Sequence, residues 1–488
     1  MVASNATVPE GRGSRIRPVP QRLRERQPLV LVVTSYRWRR YLPAAAVCLL
    51  CVPLAAVTAQ ERAERVAALD LERARAAALR IDPTVRSARE AVSAAVARER
   101  QAAALANPTL SYGREQTSRA GQSNAQDIAQ IEWPLDLAGQ RAARVAAARY
   151  RREAAETRLA AAVRMLDVMV LGAYVEAMST AHRVQLAETA YRTATEAQRV
   201  NDERVRAGDV AGYAGRRLRL EAGRYAARRA EAAVLARAAR ERLALVTGLP
   251  AAQLTVPTVS ASDSSGTAFQ ALLSSALGST IAVLSALPTT GDSLVARALV
   301  NRADVLVADR EGQAAQADAR LASRERIPLP ALSLGYKGER VQSGASVPGV
   351  SLYGFVAGFS LPLPLLDRRA GAVAAADATA RQLEAEADMT RRRVAQEVLD
   401  ALSALGSTEA ERNALLPFAG AESRLALRAV QAAYAEGEIT LTEWLEAVRA
   451  WQETELALLT TTTDLALRRV ELARALGLSL FPHTEANR

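Results

Sequence analysis

The chain of 488 residues is short of cysteine, histidine, lysine and aromatic side chains, and each shortage removes a class of explanation. Its two cysteines, Cys48 and Cys51, form a C-x-x-C inside an apolar run with no second ligand pair, which excludes a disulfide scaffold and a thiolate zinc site. His182 has no second ligand at helical spacing and His483 sits in the tail. Met165 and Met169, one turn apart, read as core packing rather than a soft-metal site. No metal and no cofactor is expected. No serine-histidine-acid order, phosphate-binding glycine loop or isolated carboxylate pair marks a reaction centre, so the chain does not read as an enzyme. Aromatic residues make up 4% of the sequence although half of it is hydrophobic. Alanine fills the difference, which favours long helices in close axial contact over a thick globular core.

The net charge of +11 suggests nucleic acid until it is located. Residues 1–59 hold nine arginines and two acids, so seven of the eleven charges lie there. Beyond them arginine and glutamate interleave without an aromatic-spaced basic cluster, the pattern of a solvated, ion-paired face, and no nucleic-acid partner is expected. Lys337 is the only lysine.

Arg37, Arg39 and Arg40 precede the apolar run Tyr41–Val57, which ends in Val57-Thr58-Ala59. This is the layout of a secretory signal peptide cleaved after Ala59. Val47 and Leu50 before the cysteines argue against a lipid anchor. Residues 1–35 form a basic extension ahead of that signal, consistent with a native start near Val32 or Val33. No later segment offers about 18 uninterrupted apolar residues, so no transmembrane helix is expected.

What remains is written twice. Arg141–Ala148 and Arg369–Ala376 share six of eight residues 228 positions apart. Unlike landmarks keep the same order: Pro108-Thr-Leu-Ser111 and Pro330-Ala-Leu-Ser333, Pro134-Leu135 and Pro362-Leu363, Gly208 and Gly437, Gly248-Leu249 and Gly477-Leu478. The duplication predicts a signal region at 1–59, a first repeat at 60–250, a connection at 251–290, a second repeat at 291–480 and a tail at 481–488. Each repeat opens with short helices, at about Glu61–Arg80 and Thr84–Ala106, and at about Gly291–Leu299 and Asp304–Arg326.

Strands follow, because the hydrophobic period changes to two. Leu110 and Tyr112 alternate with Ser111 and Gly113, and Ala129, Ile131 and Trp133 with Gln130 and Glu132. Leu332–Lys337 alternates likewise, and Tyr353, Phe355, Phe359 and Leu361 stand opposite Gly354, Val356, Gly358 and Ser360. These predict strand hairpins at about 108–134 and 330–362, with loops at Ser118–Asn124 and Gln342–Gly349. Four strands cannot close a membrane barrel, so they are either shared between subunits or ordinary soluble strands.

Helical patterns then run from about Ala138 to Arg206 and from about Arg368 to Ala435, each roughly 100 Å if straight. Leu159, Val163, Leu166, Val170, Ala173, Ala177, Thr180, Val184, Ala187, Tyr191 and Ala194 form a heptad seam. Turns at Ala207–Gly212 and Glu436–Thr440 lead into returning helices, the second with a seam at Leu456, Leu459, Thr463, Ala466, Val470 and Ala473. Two coiled-coil helical hairpins result, at about 138–247 and 368–476. Pro417 should kink the second long helix. The expected fold is mainly α with a small antiparallel β part.

A secreted chain with two strand hairpins and two helical hairpins resembles the TolC-like outer-membrane factor family of tripartite efflux systems, over nearly all of residues 60–480. The specific marks are Asn107-Pro-Thr-Leu, the Pro-Leu closing each strand pair and the tip glycines Gly208 and Gly437. Pro362–Gly371 is similar to the heavy-metal-type, CzcC-like branch, though Arg369-Ala370 stands where Asn-Gln is usual. The resemblance implies a homotrimer with a twelve-stranded barrel in outer-membrane lipid and a twelve-helix α-barrel through the periplasm. It implies a passive exit duct docked to a periplasmic adaptor (membrane fusion protein) and an inner-membrane pump of the resistance-nodulation-division (RND) type. The adaptor-contacting tips carry over to Val205, Gly208 and Asp209, and to Tyr434, Gly437 and Glu438. The lipid-facing strand carries over to Tyr353, Phe355 and Phe359. The channel gate carries over to Glu443 and Glu446, while Ala214 takes the equivalent place in the first repeat. The alternative for these two glutamates is a pair of solvated helix-surface acids. The alternative for the whole chain is a periplasmic coiled-coil scaffold without a pore.

Overall fold

In a computed structural model the described residues are 69–481, apart from 120–121, 211, 260–264, 279–289 and 344–347. The signal region, Cys48, Cys51 and His483 therefore lie outside the described residues. Two helices, α1 (Leu71–Ile81) and α2 (Pro83–Ala103), precede β1 (Thr109–Arg119) and β2 (Gln122–Pro134), then α3 (Gln140–Ala207) and α4 (Gly212–Thr247). A 3-10 turn at Ala251–Gln253 and a helix α5 (Gly266–Ala276) lie in the connection. The series then recurs as α6 (Gly291–Asn301), α7 (Ala303–Arg324), β3 (Ala331–Ser343) and β4 (Val350–Ser360). It closes with α8 (Ala370–Leu415), a 3-10 turn (Leu416–Phe418), α9 (Ala421–Glu436) and α10 (Leu441–Ala475).

Helix α3 runs 68 residues without a break, because it is rich in alanine and holds no proline. Of its seam, Leu166, Val170, Ala177, Ala187 and Ala194 are buried, but so are Leu171, Tyr174, Val175, Met178 and Leu186. The helix packs against α2, α4, α7 and α10 at once, so its buried surface is wider than a coiled-coil stripe. Met165 and Met169, expected in the core, are instead 48% and 43% exposed.

The second long helix does more than kink. Pro417 has no amide to donate and α8 stops at Leu415, with Gly420 at φ 76° before α9 begins. The break is filled by α5, whose Phe269 and Leu273 are buried in the main core. Glu455, fully buried on α10, accepts hydrogen bonds from the Gly266 amide (2.7 Å), the Gly420 amide (3.1 Å) and the Ser423 hydroxyl. One carboxylate thus ties the connection, the break and the returning helix together. His182 belongs to the same region, its ring stacked 5.1 Å from that of Phe269.

The repeated glycines mark junctions. Gly248 and Gly477, at φ 69° and 68°, end α4 and α10 where those helices meet the α1–α2 and α6–α7 joints. A Cβ on Gly477 would stand 2.8 Å from the Asn301 carbonyl oxygen, and one on Gly248 would strike Ile81. A second, smaller core of Leu294, Val305, Val394, Val398, Leu472 and Leu476 holds α6, α7, α8 and α10 together.

The strands form one antiparallel sheet in the order β1-β2-β3-β4. Pairing continues to Arg119↔Gln122, so the two strands extend into the expected loop Ser118–Asn124. The register puts Leu110, Tyr112, Ile131, Trp133, Leu332, Leu334, Tyr336, Phe355 and Phe359 on one face. Ser111, Gln130, Glu132, Ser333, Lys337, Glu339 and Ser360 share the other. No helix among the described residues is long and apolar enough to cross a membrane.

Candidate channel tips and membrane face

Both helical hairpins turn on the same backbone device. Gly208 and Gly437, at φ 86° and 85°, occupy the left-handed position that glycine adopts without a Cβ penalty. Asp209 donates to the Arg204 carbonyl at 3.0 Å, and Glu438 to that of Ala433 at 2.9 Å, which satisfies carbonyls left open at each helix end. Gly208, Asp209, Gly437 and Glu438 are exposed, and Val205 is half-buried.

Tyr434 differs from expectation. It is 5% exposed, with its ring 5.5 Å from Trp444 and its hydroxyl 3.5 Å from Asn201 Oδ1. Its side chain supports the tip from inside rather than offering a surface to a partner, and burial holds its phenol above the ordinary range against a lowering by Arg204. Arg204 bridges the two hairpins by donating to the Tyr434 carbonyl at 3.3 Å. Farther up, Arg217 donates to Thr442 at 3.2 Å, Arg449 to the buried Glu221 at 2.6 Å and Arg228 to Gln452 at 2.9 Å. Sequence reading missed this arginine ladder, because each pairing spans over two hundred positions.

Glu443 and Glu446 lie on the exposed side of the first turns of α10, away from the buried Trp444 and Leu445. Glu443 has a local task as well: it closes a capping box with Thr440, accepting from that residue's amide (2.7 Å) and hydroxyl (2.8 Å). Those two bonds, amide first, hold its carboxyl below the ordinary glutamate range. The Thr440-x-x-Glu443 spacing was the signal in the sequence.

On the sheet, Tyr353, Phe355 and Phe359 are 70%, 89% and 63% exposed on one continuous apolar face with Tyr336, whose ring stacks 6.0 Å from Tyr353. The opposite face is hydrogen-bonded, with Asn124 donating to Glu339 at 2.9 Å and Ser360 to Glu132 at 3.1 Å. Among the described residues no cluster of three or more His, Cys, Asp or Glu side chains is placed to hold a metal ion.

A comparison with protein families matches residues 294–478 to the model described as Outer membrane efflux protein. Comparison of the whole sequence with curated proteins finds no match. Among solved structures the fold is similar to CusC, whose description concerns transmembrane channel formation, at 19% identity and a TM-score of 0.64 over 84% of this chain and 93% of that one. It is similar to the outer membrane protein VceC of Vibrio cholerae at 17% identity and a TM-score of 0.59, covering 84% and 97%. The open MtrE outer membrane channel of Neisseria gonorrhoeae gives 18% identity and a TM-score of 0.60 over 84% and 89%. Residues 294–478 thus match the outer membrane efflux protein model, and the fold of the chain is similar to those of CusC, VceC and MtrE.

Proposed function

We propose that this chain is one protomer of the outer-membrane exit duct of a tripartite efflux system, extending into the periplasm and conducting passively what a pump delivers. The observation that carries the reading is the sheet. β1 and β4 are edge strands of eleven residues each, and long unpaired edges are a template for further strands. Three successive rows of one face are apolar, and the other face carries the Asn124–Glu339 and Ser360–Glu132 hydrogen bonds, the division that a barrel wall between lipid and water requires. Pairing β4 of one copy with β1 of the next closes twelve strands in three copies, above the eight that a membrane barrel needs. The helical hairpins of the same three copies then supply twelve helices for the periplasmic tube.

The tips Val205, Gly208, Asp209, Gly437 and Glu438 are the surface for a periplasmic adaptor linked to an RND-type inner-membrane pump, with Tyr434 as their internal support. Glu443 and Glu446 in three copies form an anionic ring, since their exposed carboxylates lie one turn apart beside the second tip. The Arg204 and Arg217 contacts hold the second hairpin, and so that ring, against the first.

Heat-modifiable trimers extracted only with the outer-membrane detergent fraction are expected. A soluble monomer in periplasmic extract would replace the duct by the scaffold. In planar bilayers, Glu443→Gln with Glu446→Gln removes the charge while glutamine keeps the capping box. The expected result is raised conductance and weakened block by divalent cations; unchanged values would remove the gate.

A further inference from the structure

We propose that the connectors between strands and long helices are themselves membrane-embedded, with Leu137, Leu361, Leu363 and Leu366 against phospholipid acyl chains of the inner leaflet. The inference rests on the shared-barrel reading. Its starting point is where the apolar face ends. At the base of the sheet Trp133, Leu332 and Phe359 form one row across the strands, followed by Leu110, Ile131 and Leu334, then by Tyr112, Tyr336 and Phe355. The next row up holds Arg114 and Asp127, an ion pair at 3.8 Å, together with Tyr353 as the interfacial edge of the face, and the row after it Arg340.

From Trp133 to Asp127 is six residues, about 20 Å along the strand and about 15 Å of height at a barrel tilt near 40°. An outer-membrane barrel presents an apolar band about 25 Å tall. The strands therefore fall about 10 Å short. Moving the bilayer toward the hairpin loops would bury Arg114, Asp127 and Arg340 in hydrocarbon, which ionised groups oppose most strongly near the midplane.

The missing height lies on the other side. Every residue from 361 to 370 is exposed, although the stretch includes Leu361, Leu363, Leu365 and Leu366, the last 102% exposed. In the first series Leu137 is 74% exposed at the matching place before α3. These leucines continue the apolar face below its last strand row. They give way to the exposed arginines Arg141, Arg326 and Arg368, which match the anionic phosphates of a phospholipid surface.

The test places a nitroxide on single cysteines at Leu366→Cys and, as a second position, Leu363→Cys. Cys48→Ala and Cys51→Ala are introduced in the signal region, so that no native thiol competes even if cleavage is incomplete, and the trimer is reconstituted in phospholipid vesicles. Collisions with oxygen, which concentrates among acyl chains, are compared with those of an aqueous nickel chelate. Phe355→Cys and Asp209→Cys serve as lipid and water references. The connector labels are expected to show the oxygen-favoured ratio of Phe355 and the inverse of Asp209. A nickel-favoured ratio at Leu366 and Leu363 with Phe355 still oxygen-favoured would overturn the embedded connectors and leave the barrel standing. Access to neither probe, the mark of packing against a neighbouring protomer, would overturn them equally. A nickel-favoured Phe355 would overturn the barrel reading itself.

Discussion

The two long helices begin alike and end at matching glycines, yet one is continuous and the other is cut. Helix α3 crosses 68 residues unbroken, whereas its counterpart is divided at Leu416–Phe418 and Gly420 and rebuilt around the connection helix α5. The difference teaches where a duplicated chain departs from symmetry. The first helix has neighbours along its length and serves as the strut; the second carries a pinned joint above the tip that bears Glu443 and Glu446. The break costs backbone hydrogen bonds, and Glu455 accepts the Gly420 amide at the cut and the Gly266 amide at the start of α5.

Removing that pin should have the largest effect. Glu455→Ala leaves two buried amides without their acceptor, while the Ser423 hydroxyl keeps the Gly420 carbonyl at 3.1 Å, and opens a cavity, for an expected loss of about 3 kcal/mol in denaturant unfolding of the trimer. Glu455→Gln keeps one acceptor oxygen and should lose less. Equal effects of the two would mean that the joint is held by packing alone. The paired junction glycines come next. Gly477→Ala sets a methyl against backbone at Asn301 and Arg302, for about 2–3 kcal/mol. Gly248→Ala meets only the movable end of Ile81 and should cost about 1–2 kcal/mol. A reversed order in thermal melts would show that the two junctions are not built as described.

The helix starts differ in the opposite sense. Gly139 before α3 is matched by Arg369 before α8, the one non-glycine described at positive φ (54°). Arg369→Gly relieves about 1 kcal/mol of left-handed strain and gives up a half-exposed ion pair with Glu325 worth about 0.5 kcal/mol. A small net stabilisation follows; a loss of stability would show that the ion pair outweighs the strain. The smallest effect is local. Because the folded Glu443 carboxyl titrates below the ordinary range, its cap is complete above that range and is lost as pH falls through the depressed value. Amide exchange at 441–444, corrected for intrinsic rates, should rise below that pH and rise equally with Glu443→Ala. Glu446→Ala should leave it unchanged.

Much of this was legible in the residues. Alternation placed the four strands, and Gly208 and Gly437 placed both helical turns, because backbone conformations that need glycine leave a direct mark, whereas Gly248 and Gly477 read only as landmarks of the duplication. The Pro417 kink was visible; its enlargement into a break was not, since that depends on Glu455 and Gly266, 189 positions apart. Met165 and Met169 were misplaced because an alanine-rich helix with several neighbours has no single apolar stripe to read. Tyr434 reads as a contact residue from its place beside the tip glycine, yet it packs on Trp444 just beyond the turn, in the helix that folds back on it. At the candidate site the sequence located the tip carboxylates, while the Arg204 and Arg217 bridges appear only once the two hairpins lie side by side.

The central claim is that β1 and β4 of neighbouring copies pair to close a ring of three. Cysteines introduced together on both edges, at Ser111 or Thr117 on β1 and at Leu352 or Ser360 on β4, test it by oxidative cross-linking in outer membranes. The account predicts that the combination in register yields covalent dimers and trimers and nothing larger, and that β1 or β4 cysteines alone yield none. Monomers under every combination, or a ladder extending past the trimer, would contradict it.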